Sequence, residues 1–301
     1  MENRDLLLEI GTEEIPSRFI SPALRDAAMR AGEELRSERL AFEKIQAFGT
    51  PRRLAVLVRG LGAKQEDLTE EFKGPSWSGA FDAGGNPTKA AKGFARSKGV
   101  EVESLEKREI GGNEFAVAVI RQEGKKTLEI LPPIMERIIK NISFPKSMYW
   151  DKTFIRFARP VRWILSIYGN DPVPLEFGSV SSGVVTRGHR FMGIKNIEIK
   201  EVGEYLEKLY DNFVIADPEK RKEKMLSGIA TLENEIGGKA VLDKELVEEN
   251  LFLVEYPVPF YGSFDPAYLE MPEEVLITTM KNHQRYFPVR DTSGALRPFF
   301  I

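Results

Sequence analysis

Arginines and lysines set beside aromatic rings recur along the chain, and they are its residues with the most chemistry to offer. Arg52 and Arg53 follow Thr50-Pro51 directly and precede an apolar run, so two guanidiniums stand at a turn-to-strand junction. Phe144-Pro145-Lys146-Ser147-Met148-Tyr149-Trp150 puts a lysine near two large rings, and Arg156, Arg159 and Arg162 follow alongside Phe157 and Trp163. Thr186-Arg187-Gly188-His189-Arg190-Phe191 and His283-Gln284-Arg285-Tyr286-Phe287 repeat the pattern, and Lys89, Lys92 and Arg96 share a short basic stretch. Guanidinium and ammonium groups hold phosphates or carboxylates, while aromatic faces stack on bases or on guanidiniums, so the pattern suits contact with structured RNA. It arises equally where a strand end buries its ring and leaves its arginine in water. Both readings stand at each cluster. In Arg159-Pro160-Val161-Arg162-Trp163, strand alternation turns Arg162 away from the face shared by Val161 and Trp163.

Other chemistries find little footing. Cysteine is absent, which removes disulfides, thiolate metal sites and a thiol nucleophile, and fits a reducing cytoplasm. His189 and His283 are the only histidines, and neither has a partner at metal-ligand spacing. No GxxxxGK phosphate loop is present, and no GxGxxG follows a strand. Glu13-Glu14 reads as an acid pair or as a solvated loop. Glu255, His283 and Thr278-Thr279 are the local candidates for a hydrolytic site, with no spacing that brings them together. No catalytic residue and no metal ligand is assigned.

The elements that must position these residues are mixed. Leu6 to Ile10 predicts a first strand. Ser21 as N-cap with Pro22 at the first helical position predicts a helix carrying Leu24, Ala27, Ala31 and Leu35 on one stripe. Arg53 to Gly60 and Val161 to Tyr168 predict buried strands; Phe115 to Ile120, Val173 to Phe177 and Ser181 to Phe191 predict further ones. Helices are expected after Thr88, from Pro132-Pro133 to Asn141, over Val202 to Phe213, after Asp217-Pro218 to the stop at Gly237, and over Pro272 to Lys281. A hairpin closes around Asp291-Thr292-Ser293-Gly294. Helices and strands do not alternate strictly, so the class is α+β. Two domains with mixed or largely antiparallel sheets are expected, 1–145 and 146–301, with a Gly/Pro-rich basic segment inserted at about 70–100 in the first.

The 301 residues are 42% hydrophobic and 30% charged, an ordinary globular composition, with a formal net charge of −3. That balance excludes coating of nucleic acid by bulk charge and leaves room for a local basic face. No apolar run approaches the length of a membrane span, the N-terminus lacks the pattern of a signal peptide, and the apolar end Phe299-Phe300-Ile301 suggests a truncated chain.

Taken in order, LLLEIGTEEIP, FGTPRRLAV, FPKSMYW, FARPVRW, GHRF, VEYP and HQRYF resemble the N-terminal half of the β subunit of bacterial glycyl-tRNA synthetase, from about Leu6 to the last residue. The family shows a basic residue where this chain has Tyr149. The resemblance implies an enzyme of two α and two β chains in the cytoplasm. The α chain holds the aminoacylation site for glycine and ATP with Mg, and the β chain captures tRNA(Gly) and binds no cofactor itself. The second half is also similar to the B3/B4 tRNA-binding module of phenylalanyl-tRNA synthetase. On this footing Arg52, Arg53, Lys89, Lys92, Arg96, Lys146, Arg156, Arg159, Arg162, Arg187, His189, Arg190, His283 and Arg285 are expected to meet tRNA or the α chain. A scaffold that docks α without RNA, and an editing-like hydrolase acting on mischarged tRNA, are the alternatives.

Overall fold

The structure is a computed structural model that describes residues 2–301. Its class is α+β, with helices beside several mixed and antiparallel sheets. Two compact units divide it: the residues up to Ala63 together with Leu128–Ile301, and Lys64–Thr127. The boundary expected between residues 145 and 146 is crossed by a sheet, because strands from either side of it pair directly.

The chain opens with strand β1 (Arg4–Thr12) and helix α1 (Ser17–Ser37), followed by β2 (Lys44–Thr50) and β3 (Arg53–Leu61). The smaller unit supplies β4 (Leu68–Ser76), a short α2 (Trp77–Ala80), α3 (Lys89–Lys98), β5 (Glu106–Ile110) and β6 (Asn113–Gln122). The chain then returns through α4 (Thr127–Asn141), the paired dipeptides β7 (Met148–Tyr149) and β8 (Arg156–Phe157), and the long β9 (Val161–Tyr168). Short strands β10 (Asp171–Pro172), β11 (Glu176–Phe177), β12 (Val180–Gly183), β13 (Val185–Thr186) and β14 (Ile197–Glu198) follow, then helices α5 (Tyr205–Asp211) and α6 (Pro218–Ile236).

The main sheet runs in the order β11-β12-β9-β1-β3-β2, with β10 paired to β9. β1 lies antiparallel between β3 and β9, so Gly11 stands opposite both Arg53 and Trp163, and Glu9 opposite Ala55 and Leu165. Alternation along β1 separates two buried layers. Leu6, Leu8 and Ile10 face the apolar stripes of α1 and α4. Leu7, with Ala55, Leu57, Leu165 and Ile167, faces Ile197, Ile199, Tyr205 and Leu209 on the other side. Glu9 and Gly11 belong to that second face.

Some elements differ from expectation. α1 begins at Ser17, so Pro22 lies inside the helix instead of opening it, and Pro16 occupies the cap position. A proline inside a helix costs about 3 kcal/mol. Burying Phe19 and Ile20 on the added turn returns roughly 1.5–3 kcal/mol for each side chain, a gain of the same order that offsets it. α4 likewise takes in both Pro132 and Pro133. The strand expected over Ser181 to Phe191 stops at Thr186, and the helix expected over Pro272 to Lys281 gives way to a wider π turn at Thr279–Gln284. As expected, Asp217 caps α6 by accepting from the Glu219 amide at 2.9 Å, and Gly237 ends it with φ +62°.

The smaller unit is wider than the expected insert. β4, β6 and β5 form one antiparallel sheet over a core of Ala80, Ala91, Ala95, Ala116 and Ala118 with Phe72 and Phe94. The Gln65 amide donates to the Lys125 carbonyl at 2.9 Å, so the chain enters and leaves this unit side by side. Thr88 caps α3 through the Ala91 amide.

Candidate nucleic-acid interface

One end of the main sheet, where β1 leaves and β3 and β9 begin, gathers the candidates Arg52, Arg53, Arg162, Arg187 and Arg190. The Thr50-Pro51 turn is pinned there by backbone: the Thr12 amide donates to the Arg52 carbonyl at 2.8 Å, and the Ile15 amide to the Pro51 carbonyl at 2.7 Å. The Glu13 amide donates to the Pro160 carbonyl at 3.0 Å, which ties in the start of β9. Gly11 has no alternative at its position, because a Cβ there would overlap the Trp163 indole.

The adjacent arginines are both buried but held differently. Arg53 is completely buried. Its Nη1 donates to Glu9 Oε2 at 3.4 Å and to Thr186 Oγ1 at 3.2 Å; its Nη2 donates to Glu255 Oε1 at 3.2 Å and to the Arg187 carbonyl at 2.7 Å. Glu9 also accepts from Trp163 Nε1, from Tyr205 Oη and, at 2.6 Å, from Thr186 Oγ1. Glu255 accepts from Thr50 Oγ1 at 2.7 Å. Burial works against the Arg53 cation, but Glu255 and Glu9 outweigh it and hold its pKa above the ordinary arginine value. Burial, reinforced by Glu9, pushes the Tyr205 hydroxyl well up, so it stays a donor. Arg53 is therefore an interior residue whose side chain offers nothing to a partner. Glu9, absent from the candidates that the sequence suggests, is its counter-ion. The signal was present: a lone carboxylate inside the run Leu6-Leu7-Leu8-Glu9-Ile10 demands a buried cation.

Outside this network lies a second layer that reaches solvent, with Arg162 and Arg190 exposed and Arg187 half-buried. Arg162 Nε donates to Glu13 Oε1 at 2.7 Å, and Arg190 reaches Glu13 Oε2 at 3.0 Å and Glu14 at 3.5 Å. The Arg162 hydrogen bond holds the Glu13 carboxyl below its usual range despite partial burial. As alternation requires, Arg162 is exposed while Val161 and Trp163 are buried. Arg187 lies 4.6 Å from the Trp163 ring centre, and Arg52 lies 5.9 Å from it. Arg52 reaches Glu255 only at 3.9 Å, and burial, with Arg190 and Arg53 nearby, lowers its pKa. Burial first, then the Arg162 charge, lowers that of Arg187.

Charge can be counted layer by layer. Arg52 and Arg53 balance Glu9 and Glu255. Arg162, Arg187 and Arg190 meet Glu13 and Glu14, which leaves one cation over. Among the described residues Arg187 makes no ion pair with a carboxylate, so the surplus falls on it.

The other candidates sit elsewhere. Arg156 stacks over Tyr149 at 4.6 Å and donates to Ser147 Oγ at 3.0 Å, while Arg159 turns back onto the Ala158 carbonyl and Lys146 is exposed. His283 and Arg285 belong to the π turn and its end, where Arg285 pairs with Glu249 at 2.6 Å. Lys89, Lys92 and Arg96 stand exposed on α3 of the smaller unit. Of the hydrolytic candidates, Glu255 is held by Thr50 and Arg53, and Thr279 Oγ1 donates to the Val275 carbonyl within its own helical turn. Among the described residues no group of histidines and carboxylates is placed to hold a metal ion, and no helix is long and apolar enough to cross a membrane.

The family described as Glycyl-tRNA synthetase beta subunit matches residues 6–301. The chain is 44% identical over 298 residues, 99% of its length, to the Glycine--tRNA ligase beta subunit of Moorella thermoacetica. It is 44% identical over its whole length to the protein of that name from Halalkalibacterium halodurans, and 46% identical over 99% of its length to that from Syntrophotalea carbinolica. Each match takes up 43% of the relative, so the chain spans less than half the length of the curated relatives it matches.

Proposed function

The chain belongs to the glycyl-tRNA synthetase beta-subunit family, and from that membership we propose that it serves the ATP-dependent attachment of glycine to tRNA(Gly) as a tRNA-capturing β subunit. In this reading an α partner binds glycine, ATP and Mg and carries out the chemistry. The β chain holds tRNA and α together in a cytoplasmic assembly of two α and two β chains, and itself binds no cofactor.

The observation that carries the tRNA role is the outer arginine layer at the end of the main sheet, in which Arg162 and Arg190 are exposed and Arg187 is half-buried. Arg187 has no carboxylate partner, and Arg162 and Arg190 share Glu13 with donors to spare. Guanidiniums present planar donor pairs that match a phosphate, and the buried network beneath fixes the backbone that carries them. A phosphate entering here would relieve the repulsion that Arg187 feels from Arg162. The chain's net charge of −3 makes such binding local.

Glycine charging tests this. The chain mixed with a cognate α subunit is expected to charge tRNA(Gly), whereas α alone and the chain alone are not. In the mixture, Arg187→Gln/Arg190→Gln should raise the KM for tRNA about tenfold or more with little change in kcat, since weaker ground-state binding shows in KM. Charging by the mixture no better than by α alone would remove the role in glycine attachment. A double variant that charges like the unaltered chain would remove the tRNA role from this edge.

A further inference from the structure

The arginine layer continues into the loop between β13 and β14, and that loop presents an aromatic ring to solvent. Phe191 is 87% exposed, directly after Arg190. Exposed rings are commonly attributed to slack loops, but this one is braced. The Gly188 amide donates to the Ile194 carbonyl at 2.9 Å, the His189 amide to the Asn212 carbonyl at 2.9 Å, and the Gly193 amide to the His189 carbonyl at 3.0 Å. His189 Nδ1 accepts from the Phe191 and Met192 amides at 3.3 Å, and Asn212 Oδ1 accepts from the Ile194 amide at 3.2 Å. Gly193 packs so closely on the Asn212 backbone that a Cβ would collide with it. The loop therefore holds Phe191 outward as a fixed feature, with the His189 ring 6.2 Å from it.

We propose that Phe191 is a stacking platform for an unpaired nucleotide, with Arg187 and Arg190 holding the flanking phosphates. The inference rests on the tRNA-binding reading of the arginine layer and adds that the RNA met here is single-stranded. A preplaced ring with free faces is what a splayed base requires, and any base satisfies it. A duplex keeps its bases stacked on one another and offers such a ring nothing. Charge decides between RNA and an apolar protein pocket: a pocket would cover Phe191, Met192 and Ile194 but bring no anion to the surplus Arg187, whereas a nucleotide brings ring and phosphate together.

Binding of the 301-residue chain to two RNA hairpins separates the possibilities, one blunt and one with a short single-stranded 3′ overhang. Phe191→Ala should weaken overhang binding roughly 5- to 150-fold, leave blunt-hairpin binding and the salt dependence unchanged, and be rescued by Phe191→Trp. The variant's thermal melt should match the unaltered chain, since the ring is outside the core. Equal affinity of Phe191→Ala and the unaltered chain for the overhang, while Arg187→Gln/Arg190→Gln weakens it, overturns the stacking role alone. No salt-dependent binding by the unaltered chain overturns the tRNA reading and this inference with it. Intact RNA binding by Phe191→Ala with impaired association to α would make the loop a protein-binding element and overturn the inference.

Discussion

Arg52 and Arg53 are adjacent in sequence and separated in role. Arg53 lies on the β3 face shared with Ala55 and Leu57, between Glu9 and Glu255. Removing it strands two buried carboxylates, so Arg53→Met should cost about 3–5 kcal/mol in urea unfolding, and Arg53→Lys should not restore it, lacking the planar fork. Arg162→Ala, which removes an exposed pair with Glu13, should cost no more than about 1 kcal/mol. That small contribution carries a pH signature. Glu13 has a folded pKa below its unfolded value, so its pairing stabilises fully above the ordinary glutamate range and is lost as pH falls through the depressed value. Melting temperatures of Arg162→Ala and the unaltered chain should therefore differ slightly at neutral pH and converge in acid; a gap that persists in acid would contradict the assignment. The arginines themselves were legible in the sequence as candidates. That both are buried, with Arg53 fully enclosed, was not, because that depends on the pairing of β1 with β3, which brings together residues 44 apart in the chain.

Among the strands and helices, the long buried strands were legible because their apolar runs have few other uses. β9 occupies the residues its pattern predicts, and β3 extends one residue beyond. Helix starts were less so. α1 starts ahead of its proline signal, and the added turn buries Phe19 and Ile20, which offsets the cost of Pro22 inside the helix. The short strands β10 to β14 carry no periodicity long enough to read, and the arginine-bearing loop after β13 passes for strand only by its composition. The pairing of β1 with β9 that supports the edge has a sharp test. Gly11→Ala forces a Cβ into the Trp163 indole and should cost about 1–3 kcal/mol or more. Combined with Trp163→Ala its penalty should largely vanish, a non-additivity that a double-mutant cycle reads out. Fully additive costs would mean that the strand accommodates the methyl without touching Trp163.

For the chain in its entirety, class and family were legible and the layout was not. The α+β class follows from irregular alternation of helix and strand signals, and the ordered motifs point to one family along the full chain. The division into units escaped the sequence because the larger unit is discontinuous: its sheet joins β1 and β3 to β9 across Lys64–Thr127. The arginine edge exists only through that closure, which brings Glu13, Arg162 and Arg190 together from three distant stretches. Whether this edge holds RNA phosphates is decided by the affinity of the chain for tRNA(Gly) across a salt series, with Arg187→Gln and Arg187→Gln/Arg190→Gln in parallel. Removing one arginine–phosphate interaction should lower the slope of log affinity against log salt by about 1, so the single variant should drop it by about 1 and the double by about 2. Slopes that coincide for all three chains would contradict phosphate binding at this edge.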